Sequence, residues 1–112
     1  MNPITSLTEA LPMPEGQRAA LTLLDLKNET KIVLVAIPGG TQVPEHKVAY
    51  PASVLLLSGS VEVMLGTAWT RLSPGDFLPI EPELVHAVKA SVPSYVLVTH
   101  LRGLGFKPTT NQ

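Results

Sequence analysis

Eleven prolines spread along 112 residues leave no long stretch in which a helix could run undisturbed. An internal proline deletes a backbone hydrogen bond and drives its ring into the preceding turn. Between these breaks stand short segments rich in Val and Leu: "AALTLLDL" (19–26), "KIVLVAI" (31–37), "EHKVA" (45–49), "SVLLL" (53–57), "SVEVML" (60–65), "AWTRL" (68–72), "DFLPI" (76–80), "LVHAVK" (84–89) and "SYVLVTHL" (94–101). Gly, Pro, Asn and Ser separate them at close intervals, which predicts an all-β sandwich or barrel of two packed antiparallel sheets. "LKNET" is expected to join the first two strands, "LSGS" to make a tight hairpin, and "LSPGD" to turn at Pro74 and Gly75.

One domain is expected, because a chain of this size can bury a core without staples. Residues 1–16, rich in Pro, Thr and Ser, read as an N-terminal arm that packs on something else, with a short helix at "SLTEAL". Residues 17–106 form the barrel and 107–112 a C-terminal tail. The absence of cysteine removes disulfides, thiolate ligands and a cysteine nucleophile. A net charge of −1 with 15% charged residues offers no basic stripe for phosphates, so nucleic acid is not an expected partner. The N-terminus lacks the charged and apolar regions of a signal peptide, and the apolar run "IVLVAI" is far too short to span a bilayer. The expectation is a soluble, cytoplasmic protein with no membrane partner.

Side chains alternate across a strand, so charges on one parity mark the face that meets water. Glu45 and Lys47 send His46 and Val48 inward; Lys89 does the same for Leu84, His86 and Val88. Two histidines from separate strands are thus expected in one interior. His100 has no such marker, since "YVLVTHL" is apolar on both parities, and its direction stays open. Trp69 shares the parity of Arg71 and is expected on the outer face, where a large aromatic fits packing with a partner or with the arm. Tyr50, before Pro51, is a candidate for the pocket mouth. No Gly-x-Ser-x-Gly elbow or phosphate-cradling loop is present, and no catalytic residue can be assigned.

Two motifs carry a family resemblance. Gly40, five residues, His46, Lys47, Val48 and a closing Gly59 follow the spacing of the first motif of the cupins, and "LSPGDFLPIEPELVHAV" resembles the second, with Gly75, Asp76 and His86 in place. The chain resembles the small single-domain cupin barrels of the RmlC-like, jelly-roll type over about residues 20–101. The resemblance implies metal ligands at two histidines and a glutamate of the first motif and at the histidine of the second. Here His46 and His86 are kept, while Val48 and Ala52 occupy the other two positions; the "P-x-G" bend reads Glu81, Pro82, Glu83.

Three readings follow. A pocket lined by His46, Val48, Tyr50, Ala52 and His86 binds a small molecule, the small apolar groups supplying burial and the imidazoles orientation. Alternatively, the resemblance implies a metal-dependent enzyme of dioxygenase or isomerase type, with Zn, Fe, Mn or Ni on His46 and His86 and a third donor from His100, Glu81 or Glu83. The third reading is a ligand-sensing module acting through a partner. The arm and an outward Trp69 also suggest a homodimer.

Overall fold

The computed structural model describes residues 6–103; the expected tail at 107–112, and residues 1–5 of the arm, lie outside the described residues. A helical turn, α1 (Leu7–Ala10), precedes nine strands: β1 (Ala19–Asp25), β2 (Thr30–Ile37), β3 (Gln42–His46), β4 (Ala52–Ser58), β5 (Val61–Leu65), β6 (Ala68–Leu72), β7 (Phe77–Ile80), β8 (His86–Ala90) and β9 (Ser94–Leu101). They form two antiparallel sheets, one of five strands in the order β1-β2-β9-β4-β7 and one of four in the order β3-β8-β5-β6. The all-β, jelly-roll expectation is met.

The sandwich closes because the central strands carry apolar, mostly β-branched residues on their inward parity. Leu56, Val61, Val63 and Val96 are buried between the sheets with Ile37, Val54, Leu72, Ile80 and Val88 around them. Each such side chain stabilises the fold by about 1.5–3 kcal/mol on removal from water. Leu34 and Ala36 face the opposite way on β2, yet both are fully buried. On the same face the Tyr95 hydroxyl, beside Ala36 in register, donates to the Leu11 carbonyl at 2.7 Å and ties the segment after α1 to the outer side of the five-stranded sheet.

At the β1–β2 end, Asn28 takes a left-handed φ of 64° in the "LKNET" turn. Arg102 ties the end of β9 to that turn, its N–H donating to Glu29 O at 2.7 Å and its guanidinium pairing with Asp25. The hydrogen bond that the guanidinium donates to Asp25, together with its charge, holds that carboxyl below its ordinary value. "LSPGD" turns as expected, with Asp76 N–H donating to Ser73 O and Ser73 N–H to Asp76 Oδ2.

Two sequence expectations need correction. "LSGS" is not a hairpin: β4 pairs with β7 and β9, β5 with β6 and β8, so Gly59 carries the chain from one sheet to the other. The strand expected at "EHKVA" runs instead from Gln42 to His46, with an irregularity between Val43 and His46 that inserts one extra residue opposite β8. Pro44 sits in that bulge, on an edge strand, where its missing N–H disrupts no ladder.

Gly59 has φ 92° and lies against Ser94, whose fully buried Oγ accepts from Ser60 N–H at 3.0 Å and donates to Val92 O at 2.8 Å. A Cβ at this position would stand 2.7 Å from Ser94 Cα and overlap the Ser94 hydroxyl and the Pro93 carbonyl. Gly59→Ala is therefore expected to cost at least about 2 kcal/mol in urea unfolding, from strained backbone and overlap together. An unchanged midpoint would contradict this packing.

Candidate functional site

Between the sheets lies a cavity of about 170 Å³, open at one side. Its walls are Val33, Val35 and Ile37 from β2, Val54 from β4, Ile80 from β7, Val88 from β8 and Val96 and Val98 from β9, with Val43 from β3 closing the opposite side. These residues alternate with outward ones along each strand, so a pleated β-branched surface makes the cavity apolar without further device. Three imidazoles join the lining: His46 at the end of β3, His86 at the start of β8 and His100 near the end of β9.

The histidines come together through register. His46 is paired with His86 across β3 and β8, and the rings meet edge to face with centroids 4.1 Å apart and planes at 60°. His46 is exposed, His86 only 6% exposed. Each ring is fixed in the same manner: Nδ1 of His46 lies 2.9 Å from Pro44 O, and Nδ1 of His86 2.9 Å from Leu84 O. A carbonyl oxygen only accepts, so both Nδ1 atoms carry the proton and donate it, which leaves Nε2 as the free nitrogen of each ring. His100 stands opposite Ala52 of β4, with the Tyr50 ring edge-on at 5.7 Å. Its Nδ1 is buried and has no hydrogen-bond partner among the described residues.

Burial lowers the pKa of His86 below its ordinary value of 6.5, more than the Leu84 hydrogen bond raises it, and His46 adds to the lowering. Burial also lowers that of His100, helped by the positive charges of Lys31 and Arg102 and by the two other histidines. Both rings are therefore neutral near pH 7.

Of the residues singled out in the sequence, His46, Val48, Ala52 and His86 line this cavity, and His100 faces it too. Tyr50 is not part of the lining, and its ring stands edge-on to His100. Glu81 and Glu83 are exposed, and Glu83 pairs with Lys47 at 3.8 Å, so neither supplies a third donor to the interior. The bend they flank is bound to the site, with Glu83 N–H donating to Val48 O at 2.7 Å. Glu83 holds a left-handed φ of 65° at the place where the resemblance leads one to expect glycine. Trp69 is 42% exposed on the outer face, with the Lys89 ammonium 4.1 Å from its ring centroid. Arg18 and Ala20 also line the cavity, which no pattern in the sequence signals.

The donors do not fit a resident metal of the three-ligand kind. Among the described residues no group of three His, Cys, Asp or Glu side chains could hold a metal ion, and no carboxylate lines the cavity. A zinc or similar centre takes three or more protein ligands. Among the described residues His46 and His86 are the imidazoles in mutual contact, with valine and alanine at the other two positions of the ligand set.

An antiparallel double sheet with an interior pocket near one end defines the architecture, and the comparisons place it. The Cupin domain family model matches residues 33–100, and the chain belongs to that family. No curated relative matches it. Solved structures with the same fold include a conserved protein of unknown function from Streptococcus pyogenes, at TM-score 0.82 and 20% identity over 88% of this chain and 86% of that one. A cupin superfamily protein from Desulfitobacterium hafniense DCB-2 matches at 0.82 and 20%, covering 90% and 91%. An RmlC-like cupin from Shewanella frigidimarina NCIMB 400 matches at 0.75 and 13%, covering 94% and 95%. Identities this low speak to the fold alone. Among the described residues, no helix is long and apolar enough to cross a membrane.

Since His86 and His100 resist protonation in the fold, the native state binds fewer protons than the unfolded chain as the solution turns acid. Their pKa values are lowered, so stability is full above the ordinary value of 6.5 and declines as the pH falls through 6.5 toward the lowered values. Thermal melts between about pH 7.5 and about pH 5.5 are expected to show a falling midpoint, and His100→Phe a shallower fall. A wild-type midpoint flat across this range would be inconsistent with buried neutral imidazoles.

Proposed function

We propose that this cupin binds a small organic molecule in the cavity between its sheets. The observation that carries the reading is the pairing of an apolar cavity of about 170 Å³ with three imidazoles in its lining. Apolar walls favour a ligand by removing its surface from water, and a few fixed polar groups set its orientation. Val48 and Ala52 support this reading, because they put small apolar groups where the family's metal set has polar ones. The two fixed Nδ1–H donors support it as well, since each holds its ring in one tautomer and one pose.

The metal-enzyme reading lacks a three-donor set among the described residues. Nothing specific favours the sensor reading over plain binding. A cognate ligand at a hundredfold excess over its Kd stabilises the fold by about 2.7 kcal/mol. We expect a panel of single-ring compounds to include members that raise the melting midpoint, and Val98→Phe, which fills the cavity from β9, to remove that rise while keeping the β-rich circular dichroism spectrum. Compounds that stabilise the plugged variant as strongly as wild type would place binding elsewhere.

A further inference from the structure

Among the described residues, β1 and β7 form the edges of the larger sheet, β3 and β6 those of the smaller. An edge strand offers unpaired N–H and C=O groups to any other strand, and folds blunt such edges with prolines, bulges or charges. Three of these edges are blunted. β3 carries Pro44 in its bulge, β7 carries Pro79, and β1 breaks register between Thr22 and Leu24. β6 has neither proline nor bulge, and its five residues pair without a break from Val61 with Leu72 to Leu65 with Ala68. Residues 68–71 are all exposed, and the β6 backbone has no hydrogen-bond partner beyond β5 among the described residues.

The hairpin shows which groups are open. Gly66 and Thr67 alone join β5 to β6, so Leu65 and Ala68 flank a two-residue turn and exchange its hydrogen bonds. Bonded and non-bonded pairs alternate along an antiparallel ladder. Thr70 is therefore bonded to Val63. Trp69 and Arg71, opposite Met64 and Glu62, turn their N–H and C=O groups away from β5 into solvent.

We infer that β6 is a self-association edge: a second copy adds its own β6 antiparallel to this one, with the two Thr70 residues meeting at the two-fold axis. The open groups set that register. It places Trp69 opposite the partner's Arg71 and the reverse, so four backbone bonds form and every outward group of these residues is used. An axis on Trp69 would set Arg71 against the partner's Thr67, in the turn. An axis on Arg71 would set Trp69 against the partner's Ser73, whose N–H is already held by Asp76 Oδ2. The side chains agree with the Thr70 register. Trp69 and Arg71 share the outer face, and Cβ atoms of directly opposed residues stand about 4.5–5.5 Å apart, so each guanidinium comes beside the partner's indole as a cation–π pair. Arg71 has no ion pair among the described residues, since Glu62 opposite it is engaged by Lys89 at 3.6 Å.

Five residues of strand span about 17 Å, a short contact beside the about 800 Å² per partner of a stable complex, so the association is weak. Sedimentation equilibrium from about 20 μM to about 1 mM is expected to show the mass rising from monomer toward dimer. Over the same range the Trp69 and Arg71 amides should shift in NMR spectra and exchange more slowly. Arg71→Pro removes one outward donor from each copy and leaves the β5 ladder whole, so association should weaken about tenfold. Arg71→Ala keeps the donor and should cost no more than about threefold. Phe77→Lys, at a residue 64% exposed on the larger sheet, should change nothing. A monomer at about 1 mM would overturn the inference. So would a dimer that Phe77→Lys abolishes, one that Arg71→Pro leaves intact, or one that Arg71→Ala weakens as much as Arg71→Pro. Unchanged Trp69 and Arg71 amides in a wild-type dimer would overturn it without recourse to any variant.

Discussion

Strand β9 pairs along its whole length with β2 on one side and from Tyr95 to His100 with β4 on the other, and the site depends on that double pairing. Its inward residues read as a section through the molecule. Ser94 seals one end through its hydroxyl, Val96 lies where the core meets the cavity, Val98 is cavity wall, and His100 brings an imidazole to the polar end. Because the ladder fixes the register, neither the depth nor the direction of His100 can change without slipping a strand. A one-residue slip would send every one of these side chains to the other face.

The same strand shows where sequence reading succeeds and where it stops. The phase of β8 was legible, since Lys89 alone marks the wet side and His86 follows from it. The phase of β9 was not. Its outer parity carries Tyr95, hydrogen-bonded to Leu11, with Leu97, Thr99 and Leu101, so neither parity bears a charge that would separate them. Pro44 hid the start of β3, because a proline reads as a breaker unless the strand is known to lie at an edge and to bulge there. "LSGS" looked like a hairpin because a glycine turn between two strands does not tell whether they pair or part. Arg18 and Ala20 reach the cavity through the place of β1 at the edge of the five-stranded sheet, a tertiary fact that local pattern does not carry.

At the site, two kinds of constraint meet. The family's frame brings His46 and His86 into edge-to-face contact with their Nδ1 atoms anchored on carbonyls. Such anchoring orients the remaining nitrogen toward whatever the pocket holds, and it serves a metal or an organic ligand equally well. The rest of the lining decides between them. Val48 and Ala52 supply no donor atoms, Glu81 and Glu83 stay in solvent, and the walls are valine and isoleucine.

The most direct test of this account is the transition-metal content of untagged protein expressed in medium supplemented with zinc, iron, manganese and nickel, measured by elemental mass spectrometry. The account predicts well under one metal ion per chain, with no difference between wild type and the His46→Ala, His86→Ala double variant. Close to one transition metal per chain in wild type, lost in the double variant, would contradict it and make the cavity a metal centre.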